Sequence, residues 1–211
     1  MNIVFAHNVY KRHKQMIKTI NNNRQFIDDD KTVVVSNDYY YSYFNYTKVT
    51  KMKFKQLFRN KGHKLGSLES MIIAMKNAIK FKSEIIIFSH DDVYINNYKL
   101  LLENFKRLDS KSIIVRRPIQ PDANYFMYDA FIIKTEVAKR IFSQNIKLNN
   151  KIIPLDYLNR PCPEIYFGNL ILNSMDKKLI HIFNYDHETW GNTELGFYHM
   201  PGRNWTETKY H

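Results

Sequence analysis

Residues 83–98, SEIIIFSHDDVYINNY, constrain the fold more than any other stretch of this chain. Ile85, Ile86, Ile87 and Phe88 form an apolar run too short for a buried helix and without the alternation of a half-solvated strand. Such a run reads as a strand covered on both faces, as in a mostly parallel sheet flanked by helices. In that architecture, whatever follows the strand is delivered to the carboxyl edge of the sheet, where ligands bind. Here it is His90, Asp91 and Asp92. Two adjacent carboxylates repel, so a cation, a hydrogen-bond network or exposure to water must offset them.

Size and composition then limit the options. A chain of 211 residues, 44% hydrophobic and 25% charged, suffices for one domain with a proper core, and a single α/β domain over residues 1–211 is expected. Cys162 is the sole cysteine, which excludes a disulfide framework and a cysteine-only zinc site. No window approaches the roughly 18 to 20 apolar residues of a membrane span, and no basic stretch precedes the first apolar run. A soluble cytoplasmic protein is expected on those grounds. The net charge of +12 invites a polyanion as partner. However, the abundance of Lys, Asn, Ile, Tyr and Phe is what A/T-rich codons produce, and the lysines are dispersed rather than gathered. Nucleic acid is therefore disfavoured, while peripheral contact with a membrane surface stays compatible with the charge.

In order, the chain alternates strands and helices. Residues 2–6 (NIVFA) form a first strand, with His7, Asn8 and Tyr10 expected at its ligand edge. Met16, Ile17 and Ile20 recur at helical spacing. Residues 32–36 (TVVVS) are a second strand, after which Asn37 and Asp38 sit at the turn, making Asp38 a second candidate for the site. An aromatic cluster spans residues 39–46, read first as packing. Residues 52–66 read as a loop with Gly62 and Gly66, and a strong helix follows from Ser67. Asn96 or Asn97 can cap the helix carrying Leu100, Leu101, Phe105 and Leu108. Residues 112–115 make a short strand with Arg116 and Arg117 at its exit, and residues 128–134 another, with Thr135 capping the next helix. A connection with three prolines, expected to hold a hairpin or lid, leads to Glu164 at the start of a helix, where a carboxylate is favoured by the helix dipole alone. Residues 179–183 form the last strand, and the tail beyond it is rich in His, Trp and Tyr.

The opening strand, the glycine-containing segment leading into a long helix, and IIIFSHDDVYI resemble the nucleotide-sugar-binding half of GT-A glycosyltransferases. YDAFIIKTEVAKRI, PEIYFGNLI and FYHMPGRNW resemble their acceptor-side strand and helix, the helix that carries an acidic catalytic residue, and a late His-containing segment. The resemblance implies a single GT-A (Rossmann-like) domain, with residues 1–98 as the nucleotide-sugar half and 99–211 as the acceptor half and tail. It implies transfer of a sugar from a UDP- or GDP-linked donor to a hydroxyl of a glycan or glycolipid. A divalent cation, Mn²⁺ rather than Mg²⁺, would be held by Asp92, Asp91, His199 and His90. His7, Asp38, Gly62, Lys64, Asp91 and Arg203 would contact the donor, with Arg12 a further candidate for the phosphate clamp. Glu164, and after it Asp129, would be the catalytic base if the transfer inverts; a retaining transfer uses no base in that position, and the sequence leaves both courses open.

One departure bears on the metal. His90 stands where the family has its first Asp; imidazole can ligate Mn²⁺, whereas Mg²⁺ prefers oxygen. The chemistry calls for such groups in any case, since a nucleoside-diphosphate leaving group develops negative charge that a cation and basic side chains neutralise. Two other readings compete. A sugar-nucleotide nucleotidyltransferase uses a related sheet but needs a glycine-rich phosphate loop after the first strand, and FAHNVYKRHK has no glycine. A non-catalytic nucleic-acid or polyanion binder would rest on the charge alone.

Overall fold

Strand β1 (Ile3–Val9) has parallel neighbours on both sides, β2 (Thr32–Ser36) and β4 (Ile85–His90). The structure is a computed structural model that describes residues 2–10, 12–26, 31–37, 52–57, 63–119, 124–148, 152–156, 158–185 and 193–199. Among these, the sheet has seven strands in the order β3-β2-β1-β4-β7-β6-β8, with β3 at Met52–Gln56, β6 at Ile113–Pro118, β7 at Met127–Lys134 and β8 at Ile180–Tyr185. Only β7 runs against its neighbours, pairing antiparallel with both β4 and β6. Its amino end therefore lies on the same edge as the carboxyl ends of β4, β6 and β8, which brings Asp129 to the edge where Asp91 emerges.

Side chains alternate across the sheet and give it two dry faces. Val4, Ala6, Val33, Val35, Ile86, Phe88, Phe131 and Ile133 meet helices α2 (His63–Ala78), α4 (Thr135–Phe142) and α5 (Pro163–Leu172). Phe5, Ile87, Ile114, Ala130 and Ile132 face α3 (Tyr98–Arg107), while Val9 and Val34 pack on Met16 and Ile20 of α1 (His13–Arg24). Covering on both faces is why the strands read as continuous apolar runs. A second, two-stranded sheet pairs β5 (Val93–Ile95) with β9 (Phe197–His199) beyond the end of β4. This is the α/β, mostly parallel sheet with helices on both faces that the sequence calls for. No helix among the described residues is long and apolar enough to cross a membrane.

Several local expectations are corrected. β1 runs on to Val9, so His7 lies within the strand, paired on both sides and with its side chain on Ser89, and does not reach the ligand edge as Asn8 does. Residues 52–66 are not one loop, because Met52–Gln56 adds a parallel strand beside β2 and α2 starts at His63, taking in Gly66. Thr135 is the first residue of α4, its hydroxyl meeting Ser83, and not its cap. Leu100 is half-exposed; the buried positions of α3 are Leu101, Asn104 and Phe105, and Asn97 caps the helix by accepting from the Leu100 N–H. In the connection to α5, a bridge between Leu155 and Pro161 closes a tight turn.

Candidate functional site

At the exit of β4, the repulsion between Asp91 and Asp92 is offset in two ways. Arg12, the N-cap of α1, reaches across with Nη1 2.7 Å from Asp92 Oδ2. Asp91 is buried, and burial, reinforced by the charge of Asp92, pushes its carboxyl well above the usual range; Arg12 and the Tyr10 N–H pull the other way. Thr19 on α1 holds the Asp91 carbonyl at 3.3 Å, fixing the backbone of the acidic turn. The His90 ring lies on the opposite, α2 side of the sheet, edge-on to Phe88 and Tyr128 with centroids 5.7 and 5.3 Å away.

The neighbouring strand ends form a polar cradle. Asn8 donates to Ser70 Oγ and the Ser67 carbonyl, and Asn37 donates to Ser70 Oγ and the Gly66 carbonyl. These bonds tie the first turns of α2 to the exits of β1 and β2. The Oδ1 atoms of Asn8 and Asn37 are buried without a hydrogen-bond partner, an arrangement that suits a donor group on a ligand. His7 does not reach this edge. Fully buried and stacked on Phe5, it places Nδ1 2.9 Å from Ser89 Oγ, and desolvation lowers its pKa to about 4, so it stands neutral inside the sheet.

Across β4, the edge carries the second pair of carboxylates. Asp129 is almost wholly buried and bound to the buried Arg116 at 2.9 Å, whose guanidinium also lies 4.3 Å over the Tyr185 ring. The Ala130 N–H donates to its other oxygen. So engaged, Asp129 is less suited to proton transfer than Glu164, which is partly exposed at the start of α5. Cys162 donates its thiol to Glu164 Oε2 at 3.3 Å. Burial and then the Glu164 charge raise the pKa of Tyr125 and Tyr128, so the carboxylate stands in a poorly hydrated, tyrosine-lined corner. The T-shaped contact of His90 with Tyr128 links this corner to the acidic turn.

Asp38, Gly62 and Arg203 lie outside the described residues, as do the 39–46 aromatic cluster, His187, Trp190 and Trp205. Lys64 falls in the first turn of α2 and His199 at the end of β9, where its backbone pairs with Val93; their side chains are outside the description. His181 sits against Arg107, with 3.2 Å between ring nitrogen and guanidinium. Among the described residues, no group of three or more His, Cys, Asp or Glu comes together as a metal site. Asp91 and Asp92 nonetheless suit one side of a divalent cation, because burial and then the charge of Asp92 drive Asp91 towards its neutral form, and a cation beside the pair offsets both. The sequence places Asn8 at the ligand edge but gives neither it nor Asn37 and Ser70 a role in the site, although a polar residue closing an apolar strand is the signal available for both asparagines.

No protein-family model and no curated protein matches the chain. Solved structures do. TarS 1-349 from S. aureus in complex with UDP-GlcNAc superposes with a TM-score of 0.55 at 14% identity, covering 88% of this chain and 58% of that one. Glucosyl-3-phosphoglycerate synthase from Mycobacterium tuberculosis, in complex with Mn²⁺, UDP-glucose and phosphoglyceric acid, gives 0.52 at 11% identity over 88% of this chain and 70% of that one. The chain spans only 35% of a longer TarS structure, with a TM-score of 0.56. The likeness establishes the fold: the sheet and its flanking helices have the GT-A arrangement that these structures share.

Proposed function

We propose that this GT-A chain is a glycosyltransferase that moves a sugar from a nucleoside-diphosphate donor, UDP- or GDP-linked, to a hydroxyl of a glycan or glycolipid. The observation that carries the reading is the acidic turn at the exit of β4, held by Arg12 from the exit of β1. Carboxylates and a guanidinium meet at the sheet edge where ligands of such folds bind. The donor complexes of TarS and the mycobacterial synthase support the substrate class.

Asp92 and Asp91 would hold a divalent cation, which supplies charge neutralisation for the leaving diphosphate. Mn²⁺ stands in the structure of the mycobacterial synthase and is the first ion to try. Arg12 is placed to exchange its contact with Asp92 for a phosphate oxygen, a partner that guanidinium binds well. Asn8 and Asn37 offer acceptor oxygens to the nucleoside. Glu164 takes the acceptor proton as general base of an inverting transfer, with its tyrosine surroundings limiting water. Arg116 and Asp129 neutralise each other beneath that corner and keep its floor rigid.

Incubation with a panel of UDP- and GDP-sugars, following release of the nucleoside diphosphate with and without Mn²⁺, tests the reading. Turnover of one donor is expected. Inertness towards every sugar nucleotide, with salt-sensitive binding to DNA in its place, contradicts it.

A further inference from the structure

The described residues expose five large aliphatic side chains, and three of them, Ile152 at 40%, Leu155 at 55% and Leu158 at 52%, fall within seven residues of the connection between α4 and α5. Isolated exposed leucines are ordinary, but three large aliphatic side chains exposed within seven residues make a contact surface in waiting. The turn that displays it is rigid. Asp156 accepts from the backbone N–H groups of Leu158 and Arg160, both at 2.9 Å, and from Arg160 Nε and Nη2 at 3.0 and 2.9 Å. Asn159, in the left-handed region at φ 56°, lets the chain reverse. The Leu155–Pro161 bridge and the bond from Cys162 N–H to the Pro154 carbonyl close its base, and the buried Ile153 and Cys162 anchor it.

This construction lowers the cost of leaving water. The one carboxylate of the described turn is paired with Arg160, and the N–H groups of Leu158 and Arg160 are satisfied inside the turn. Over residues 143–161 the sequence places Lys147, Lys151 and Arg160 against Asp156 alone, on a chain of net charge +12. Apolar side chains exposed on a segment of basic sequence match the interface of an anionic bilayer, where aliphatic groups enter the headgroup boundary and cations meet the lipid charge. The turn runs through Cys162 directly into the amino end of α5 and Glu164.

We infer that the turn carrying Ile152, Leu155 and Leu158 seats the protein on an anionic membrane surface, so that Glu164 faces an acceptor hydroxyl presented by a lipid-linked glycan. The choice of acceptor rests on the transferase reading; the membrane contact does not.

Flotation of the chain with phosphatidylcholine vesicles, with and without phosphatidylglycerol, reads the contact without any turnover. The wild-type chain is expected to float with the anionic vesicles, and Leu155→Asp/Leu158→Asp to lose about 10-fold in bound fraction. Leu155→Ser/Leu158→Ser removes the same apolar surface without adding charge and should lose most of it too. Both variants should keep the wild-type melting temperature and nucleotide binding. Flotation by both variants as efficient as wild type overturns the inference and leaves charge alone as the cause. Failure of the wild-type chain to float overturns it as well, as does a stable dimer in solution that the variants split, which would make the turn a contact between copies. Flotation of a wild-type chain that binds no nucleotide would instead count against the transferase reading and leave the membrane contact standing.

Discussion

Arg12 donates to Asp92 at 2.7 Å across 80 residues of sequence, joining the exit of β1 to the exit of β4 at the edge of the sheet. Both side chains keep some contact with solvent, 37% for Arg12 and 18% for Asp92, so the pair adds little to stability, under about 1 kcal/mol. On the proposed function, its value lies in the nucleotide complex. Arg12→Ala should leave the melting temperature nearly unchanged and weaken nucleoside-diphosphate affinity about 10-fold, the loss of one charge-assisted contact, as measured by calorimetry. Unchanged affinity would remove Arg12 from the phosphate clamp.

Glu164 and Asp129 separate by the kind of damage their loss causes. Glu164→Gln should lower turnover by about 10² to 10⁴ with donor affinity and melting temperature preserved, as for a general base. Asp129→Asn should instead destabilise the fold by about 3 to 5 kcal/mol, because it leaves the buried Arg116 without its counter-charge. Denaturant titrations beside initial rates distinguish the two. Turnover retained in Glu164→Gln would move the base elsewhere or favour a retaining reaction.

Stability should carry a pH dependence from His7. Its pKa is lowered to about 4 by burial, against 6.5 in the unfolded chain, so the unfolded state takes up a proton first as pH falls. The His7 contribution is therefore complete above pH 6.5 and is lost between there and pH 4, amounting to about 2 kcal/mol by pH 5. Urea unfolding of the wild type at pH 7.5 and pH 5, beside His7→Gln, isolates it. The variant should show a shallower fall over that window; parallel curves would contradict the neutral, buried state.

Gly168 tests how closely the 124–126 segment sits on α5. A Cβ there would lie 1.7 Å from the Asn124 carbonyl oxygen, a backbone atom that cannot step aside alone. Gly168→Ala should destabilise by about 3 kcal/mol in chemical denaturation, and it should shift Tyr125 and Phe126 beside Glu164. A variant as stable as wild type would show that the contact is looser than the structure has it.

Much of this architecture is legible in the sequence, and the reason is local. β2 and β4 carry unbroken apolar runs, Val33 to Val35 and Ile85 to Phe88, because both of their faces are covered, so residues 32–36 and 85–90 stand out with their ends almost correct. β3, MKFKQ, alternates lysine with apolar residues and hides in what reads as a loop; only its pairing with β2 defines it. β5 and β9 are three residues each, too short for any period, and they exist through one another. At the site, the paired acids announced themselves by their chemistry. Arg12 could be weighed, but its partner depended on the distance between two strand exits. Asp129 looked free to act as a base because sequence does not show that Arg116, on the neighbouring antiparallel strand, lies against it. The buried His7 misled for a similar reason, since β1 continues further than its apolar residues suggest.

The central claim is that the β4 acids, with a cation, receive the diphosphate of a sugar nucleotide. The most direct measurement is a thermal shift of the wild-type chain and Asp92→Ala with UDP and GDP, each with and without Mn²⁺, since a ligand that binds only the folded state raises the melting temperature. The account predicts a rise with one of the two nucleotides that depends on Mn²⁺ and is lost in Asp92→Ala. No shift with either nucleotide under any metal, or an equal shift in Asp92→Ala, would contradict it.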